Sequence, residues 1–175
     1  MALHEQPGQT DEWYTPRYIF DALGCEFDLD VAHPGIDRVN WIPARHVVTS
    51  KSLQTPWRGF IYMNPPFGPR NGIEPRLERF VEHGNGIALT PDRTSAPWWQ
   101  RWACRMDLIL FVSPKIRFIG VDGKPGVSPA QGTCLMALGK QACGALHRAA
   151  PMLGVLMVTS TPISLPASPH PPRTT

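Results

Sequence analysis

Apolar side chains recur along the chain with two periods, which divide it into alternating short strands and helices. Between residues 26 and 32, Phe27, Leu29 and Val31 alternate with Asp28 and Asp30, the period of a strand that shows both aspartates to one face. Phe60, Ile61, Tyr62 and Met63 are an unbroken apolar run, as a fully buried strand carries. Runs at 87–89, Leu108–Val112 and Thr133–Leu138 predict further strands, and 154–159 is a candidate for one more. Elsewhere the spacing is helical. Ile73, Leu77, Phe80 and Val81 share one face, with Glu74, Arg76, Glu78, Arg79 and Glu82 around the rest. Pro75 is tolerated there because the first helical N–H groups have no internal partner. Ile19, Phe20 and Leu23 predict a short helix capped by Thr15, entered at Pro16 and ended by Gly24. Trp98 and Trp102, four apart, share the face of another helix capped by Thr94 or Ser95. Strands alternating with amphipathic helices predict a three-layer α/β domain with a mostly parallel sheet.

The stretches between are punctuated by proline and glycine. Residues 33–58 read as loop-rich, 68–72 as a turn, and 121–129, with Gly123 and Gly126, as a mobile loop or hairpin over the site. Residues 1–10 read as a flexible arm and 11–160 as the domain. From 161 to 175, five prolines among Ser and Thr predict a disordered tail. No internal repeat is visible.

Composition narrows the class. A chain of 175 residues with 42% hydrophobic and 18% charged residues suits one soluble domain with a substantial core. Cys25, Cys104, Cys134 and Cys143 form no Cys-x-x-Cys pair and the six histidines are scattered, so no metal site is expected and the thiols read as reduced. Met1 to Gln6 lack the basic and apolar regions of a signal peptide, and no apolar run is long enough to cross a bilayer, so no membrane association and a cytoplasmic location are expected. Residues 1–60 carry 5 basic and 8 acidic side chains, a net −3, whereas residues 61–150 carry 11 basic and 6 acidic, a net +5. The acidic part suits a cationic ligand and the basic part suits phosphates, although a solvated surface would show the same counts.

The candidate chemistry lies where the central strand stops, at Asn64-Pro65-Pro66-Phe67. The prolines hold the backbone extended and remove N–H donors, leaving the Asn64 side-chain oxygen and the Asn64 and Pro65 carbonyls as acceptors. Phe67 adds a flat apolar face. Acceptors for both hydrogens of an amino group, beside a stacking surface, suit the exocyclic amine of a heteroaromatic base. Asp30, at the carboxyl end of its strand, lies where open α/β sheets bind ligands.

These residues resemble a known family. Asn64-Pro65-Pro66-Phe67 is similar to the (Asp/Asn/Ser)-Pro-Pro-aromatic motif of S-adenosylmethionine-dependent amino-methyltransferases. Trp13-Tyr14-Thr15-Pro16, the acidic strand with Asp28 and Asp30, and the Pro91-Asp92-Arg93-Thr94 to Trp98-Trp99 order resemble the phage-type DNA N-6-adenine methyltransferases, the phage Dam family. The resemblance covers about residues 11–140 and implies a Rossmann-like methyltransferase fold, S-adenosyl-L-methionine as cofactor, and double-stranded DNA as partner in a bacterial host carrying a phage or prophage. It implies catalytic roles for Asn64, Pro65, Pro66 and Phe67, and cofactor contacts for Trp13, Thr15, Pro16, Asp28, Asp30 and Asn64. Substrate contacts are implied for Phe67, Arg93, Thr94 and Arg117. Two departures stand out: there is no Gly-x-Gly loop of the kind most methyltransferases place beside the cofactor, and Pro114-Lys115 stands where the family carries Gly-Arg ahead of Phe118. Related motifs also serve methylation of RNA or of protein glutamine. A non-catalytic nucleic-acid-binding module on a degenerate methyltransferase scaffold is the alternative from another class.

Overall fold

The apolar run ahead of Asn64 forms the interior of a sheet. The computed structural model describes residues 13–67, 72–127 and 129–159. Its strands are β1 (Phe27–Asp30), β2 (Ala44–Val47), β3 (Ile61–Met63), β4 (Gly86–Pro91), β5 (Leu108–Val112), β6 (Thr133–Leu138) and β7 (Gly154–Val158), in the spatial order β2-β1-β3-β4-β6-β5-β7. The helices are α1 (Arg17–Leu23), α2 (Ile73–His83), α3 (Pro97–Ala103) and α4 (Lys140–Leu153). The arm at 1–10, the tail at 161–175 and most of the turn at 68–72 lie outside the described residues.

Alternation along β3 builds two cores, because successive side chains leave opposite faces of a strand. Phe60 and Tyr62 join Phe27, Ile87 and Leu89 beneath α1 and α4, while Ile61 and Met63 join Leu77 and Phe80 of α2 and Trp102 of α3. An isolated helix of α2's length is marginal in water. Leu77 and Phe80 are fully buried, and about 1.5–3 kcal/mol for each such side chain is what holds α2 on the sheet. Gly84, in the left-handed conformation at φ 71°, ends it.

The sheet is mixed, a refinement of the mostly parallel one expected. β2, β1, β3 and β4 pair in parallel, whereas β6 pairs antiparallel with both β4 and β5, and β7 pairs antiparallel with β5. The reason lies in the connections. Among the described residues no helix lies between β5 and β6, so the chain turns back after β5 and inserts β6 between β4 and β5. Helix α4 then carries the chain across β5 to β7.

Two elements escaped the hydrophobic pattern. β2 shows Arg45 and His46 to solvent and buries neither side chain, so it lacks the alternation of a half-buried strand. Helix α4 contains Gly144 and Pro151, and its buried face is mostly alanine (Ala142, Ala145, Leu146, Ala149, Leu153). Thr15 does not cap α1, nor Thr94 or Ser95 α3: Pro16 and Ala96 hold those positions without a side-chain cap. The expected hairpin is present as a turn joining Ile119 to Pro125.

Candidate active site

β3 lies between β1 and β4, so the residues leaving its carboxyl end stand between the ends of two neighbouring strands. They head a cleft of about 620 Å³, within the usual range for small-ligand sites. Trp13, Thr15, Asp30, Ala32 and Pro34 line it on the β1 side, and Pro91, Arg93, Gln131 and Thr133 on the β4–β6 side. Asn64, Pro65, Pro66 and Phe67 lie between them, with Phe67 40% exposed.

The Asn64 amide is oriented by residues far away in the chain. Its nitrogen donates to Thr15 Oγ1 at 3.2 Å and to the Trp13 carbonyl at 3.4 Å. Among the described residues nothing donates to Asn64 Oδ1, which is left to accept from a ligand. Thr15 itself is almost wholly buried. Its hydroxyl is 2.7 Å from the Tyr62 hydroxyl, and its carbonyl accepts from Trp41 Nε1 at 2.9 Å. Tyr14 exchanges two backbone hydrogen bonds with Ile119, tying the 13–15 segment to the hairpin. Gly126 lies against the Trp13 ring there: an added Cβ would stand 2.6 Å from Trp13 Cζ3 and the ring would have to shift.

Asp30 is 2% exposed at the tip of β1 and accepts the Ala32 N–H at 2.9 Å. Burial pushes its carboxyl up to about 7, with the Ala32 bond opposing the shift. A buried carboxylate with one hydrogen bond facing a cleft can accept from the amino or hydroxyl groups of a ligand. In the turn beyond it, buried His33 takes the Gly35 N–H on Nδ1 at 3.0 Å.

The remaining expected residues divide. Arg93 lines the cleft and donates from Nε to Gln131 Oε1. Pro16 is buried and, like Thr94 and Arg117, lies outside the cleft lining; Arg117 Nε donates to the Gly126 carbonyl at 3.0 Å and so braces the hairpin. Asp28 lies away from the cleft, beside a polar hollow shared with Glu26 and Lys140. It accepts the Phe60 N–H at 2.8 Å and lies 3.6 Å from Arg45. Gly59 leaves room for this carboxylate, which a Cβ there would overlap, and adopts φ +70°. Asp28→Ala is therefore expected to lower stability by about 1–3 kcal/mol, the cost of an unpaired backbone donor, with ligand affinity in the cleft unchanged. Urea unfolding beside calorimetry checks both halves. Sequence reading missed Tyr62, which looked like one more apolar strand residue; its signal was a polar tip two positions before Asn64. Among the described residues no three His, Cys, Asp or Glu side chains cluster as a metal site.

Acceptors facing a cleft between strand ends, with a ring beside them, suit a flat ligand that carries an amino group, and comparison with protein families narrows the class. The family model described as DNA N-6-adenine-methyltransferase (Dam) matches residues 4–144, most of the chain, and the chain belongs to that family. Membership indicates, in general terms, a DNA adenine-N6 methyltransferase. No curated protein and no solved structure matches the chain. No helix among the described residues is long and apolar enough to cross a membrane.

Proposed function

We propose that the protein transfers the methyl group of S-adenosylmethionine to the N6 amino group of an adenine in a specific site of double-stranded DNA. The observation that carries this reading is the Asn64 amide, whose nitrogen is held by Trp13 and Thr15 while Oδ1 has no donor among the described residues. Adenine's amino nitrogen shares its lone pair with the ring and is a poor nucleophile. Asn64 Oδ1 and the Pro65 carbonyl accept its two hydrogens, which favours a pyramidal nitrogen with its lone pair directed at the methyl group. Phe67 stacks on the base once it has left the duplex, and such positioning supplies several kcal/mol of barrier reduction. Pro65 and Pro66 keep the backbone extended so that these acceptors stay in line.

The cofactor fits the donor set on the β1 side of the cleft. Asp30 offers a buried acceptor for its amino or hydroxyl groups, and Trp13 an aromatic face beside it. When bound, the cofactor supplies a methyl group already activated on a sulfonium, so the protein needs no nucleophile of its own. The mixed sheet with helices packed on both faces is compatible with a Rossmann-like scaffold. On the β4–β6 side, Arg93 is the candidate phosphate or base contact. Acting on DNA, and resembling phage-type enzymes, the protein works in the cytoplasm of a bacterial host.

The test is incubation of the full chain with methyl-labelled cofactor and DNAs of varied sequence, followed by mapping of N6-methyladenine. Label in a defined adenine site supports the proposal. Label only in RNA or in glutamine of a protein, or none with folded protein and DNA present, overturns it. The catalytic unit is proposed to end by residue 160. A chain lacking 161–175 should therefore keep its melting temperature and transfer rate, and a collapse of either would place part of the unit in that segment.

A further inference from the structure

Asn64 works as an acceptor in one of its two amide orientations only. Turned by 180° about its last bond, it would meet a substrate amine with N–H groups, donor against donor. Its own loop supplies none of the hydrogen bonds described for its side chain, which reach residues 49 and 51 positions away in the chain. The Trp13 carbonyl has no proton to give, so it favours the nitrogen. The Thr15 hydroxyl has one proton, and what it faces decides whether it joins the carbonyl in selecting that nitrogen. It faces the Tyr62 hydroxyl at 2.7 Å. If Thr15 gives its proton to Tyr62, it has none to point at Asn64 and a lone pair with which to accept, so the order of the chain is Asn64 nitrogen to Thr15 and Thr15 to Tyr62.

Tyr62 is well placed to anchor such a chain. It is fully buried, edge-on to Phe20 with ring centroids 5.0 Å apart and tilted against Phe27 at 5.2 Å. Burial raises the phenol well above its ordinary range, so it stays neutral and keeps its hydroxyl. Thr15 is clamped from the other side by the Trp41 bond to its carbonyl. The Thr15 hydroxyl, backed by the buried Tyr62 phenol, and the acceptor-only Trp13 carbonyl converge on one amide nitrogen.

We propose that Tyr62, acting through the Thr15 hydroxyl, is a positioning residue that holds the Asn64 amide with its nitrogen against residues 13–15 and its oxygen toward the cleft. The proposal rests on the reading of Asn64 as the amine acceptor. It gives a job to a buried phenol that packing alone would not require, because phenylalanine would fill the same space.

The experiment compares Tyr62→Phe, Thr15→Val and Thr15→Ser in the full chain. Single-turnover methylation of adenine-containing DNA, KM for that DNA, thermal melts and the Asn64 side-chain amide resonances, assigned by their loss in Asn64→Asp, are measured together. Tyr62→Phe should lower turnover about tenfold, the scale of one hydrogen bond, with KM unchanged within about twofold. Thr15→Val, which removes the direct partner, should lower turnover more, and Thr15→Ser should recover most of that loss. The amide resonances should shift in Tyr62→Phe and Thr15→Val and stay near their wild-type positions in Thr15→Ser. A folded Tyr62→Phe protein with unchanged turnover and unmoved resonances overturns the proposal, as does a loss that tracks melting temperature alone. If Tyr62→Phe fails to fold, the Thr15 pair decides: equal losses in valine and serine overturn the proposal, and recovery by serine supports it. If the wild-type chain methylates no DNA, the proposed function fails. The resonances then judge the positioning chain separately, a shift in Tyr62→Phe supporting it and its absence overturning it.

Discussion

Asn64→Ala is expected to leave a folded protein that binds cofactor normally and transfers methyl groups on the order of 10²–10³ times more slowly, the usual cost of removing one preorganised hydrogen-bonding group from a reacting centre. On the proposed mechanism the loss should fall on turnover, because the removed oxygen would meet the amine as it reacts, whereas Asp30, the proposed cofactor acceptor, is left in place. Asn64→Asp should retain part of the activity, since an acceptor oxygen remains. Phe67→Ala should fail differently. It removes a stacking face worth about 1–3 kcal/mol per base, so KM for DNA should rise along with the loss in turnover, and Phe67→Tyr should be mild. A merely structural motif would give losses in proportion to the unfolded fraction. Single-turnover methylation beside thermal melts separates the two, and full activity in a stably folded Asn64→Ala protein would reject the acceptor role.

Asp30→Ala is expected to weaken cofactor binding by about 1–3 kcal/mol, the value of one hydrogen bond to a charged group. Its pH dependence is the sharper signature. The carboxyl is pushed up to about 7, so below that pH it is protonated and accepts poorly. Affinity should therefore rise as pH climbs through about 7, with a proton released on binding, and Asp30→Asn should flatten the profile. Stability of the ligand-free protein should run the other way. Between the ordinary carboxylate value of 3.8 and about 7, the folded chain keeps a proton that the unfolded chain has lost. Stability therefore falls as pH rises across that window and levels off above it. Calorimetry in buffers of different ionisation enthalpy measures the proton release, and melts from pH 4 to 8 measure the slope. A pH-independent affinity in the wild type would remove Asp30 from the cofactor site.

Local pattern was enough wherever a segment's own side chains decided its fate. The run from Phe60 to Met63 had to be buried, Pro65 and Pro66 had to stop it, and the acceptors and ring that follow could be read from their chemistry. Leu77 and Phe80 on one helical stripe predicted α2, which runs Ile73–His83. The strands at Leu108–Val112 and Thr133–Leu138 lie where their apolar runs put them, because buried strands announce themselves by composition.

The rest depended on partners distant in sequence. β2 has no buried side chain to leave a periodic trace; it is a strand because β1 pairs with it. The position of β6 between β4 and β5 follows from pairing with both, which no local propensity encodes. Asp28 and Asp30 are two acidic residues on one alternating strand, and in sequence only the position of Asp30 at the carboxyl end distinguishes them. Tertiary structure separates them, giving Asp28 the Phe60 N–H and Arg45 while burying Asp30 at the cleft. Thr15 satisfied every local rule for a helix cap, yet its hydroxyl went to Tyr62 and Asn64, whose partnership is the stronger claim on a buried polar group. The chain by itself determined which residues are candidates for the chemistry, because reactivity belongs to side-chain type and immediate backbone. Only the tertiary structure decided which atoms of those residues face the cleft, because orientation is set by hydrogen bonds between segments that meet after folding.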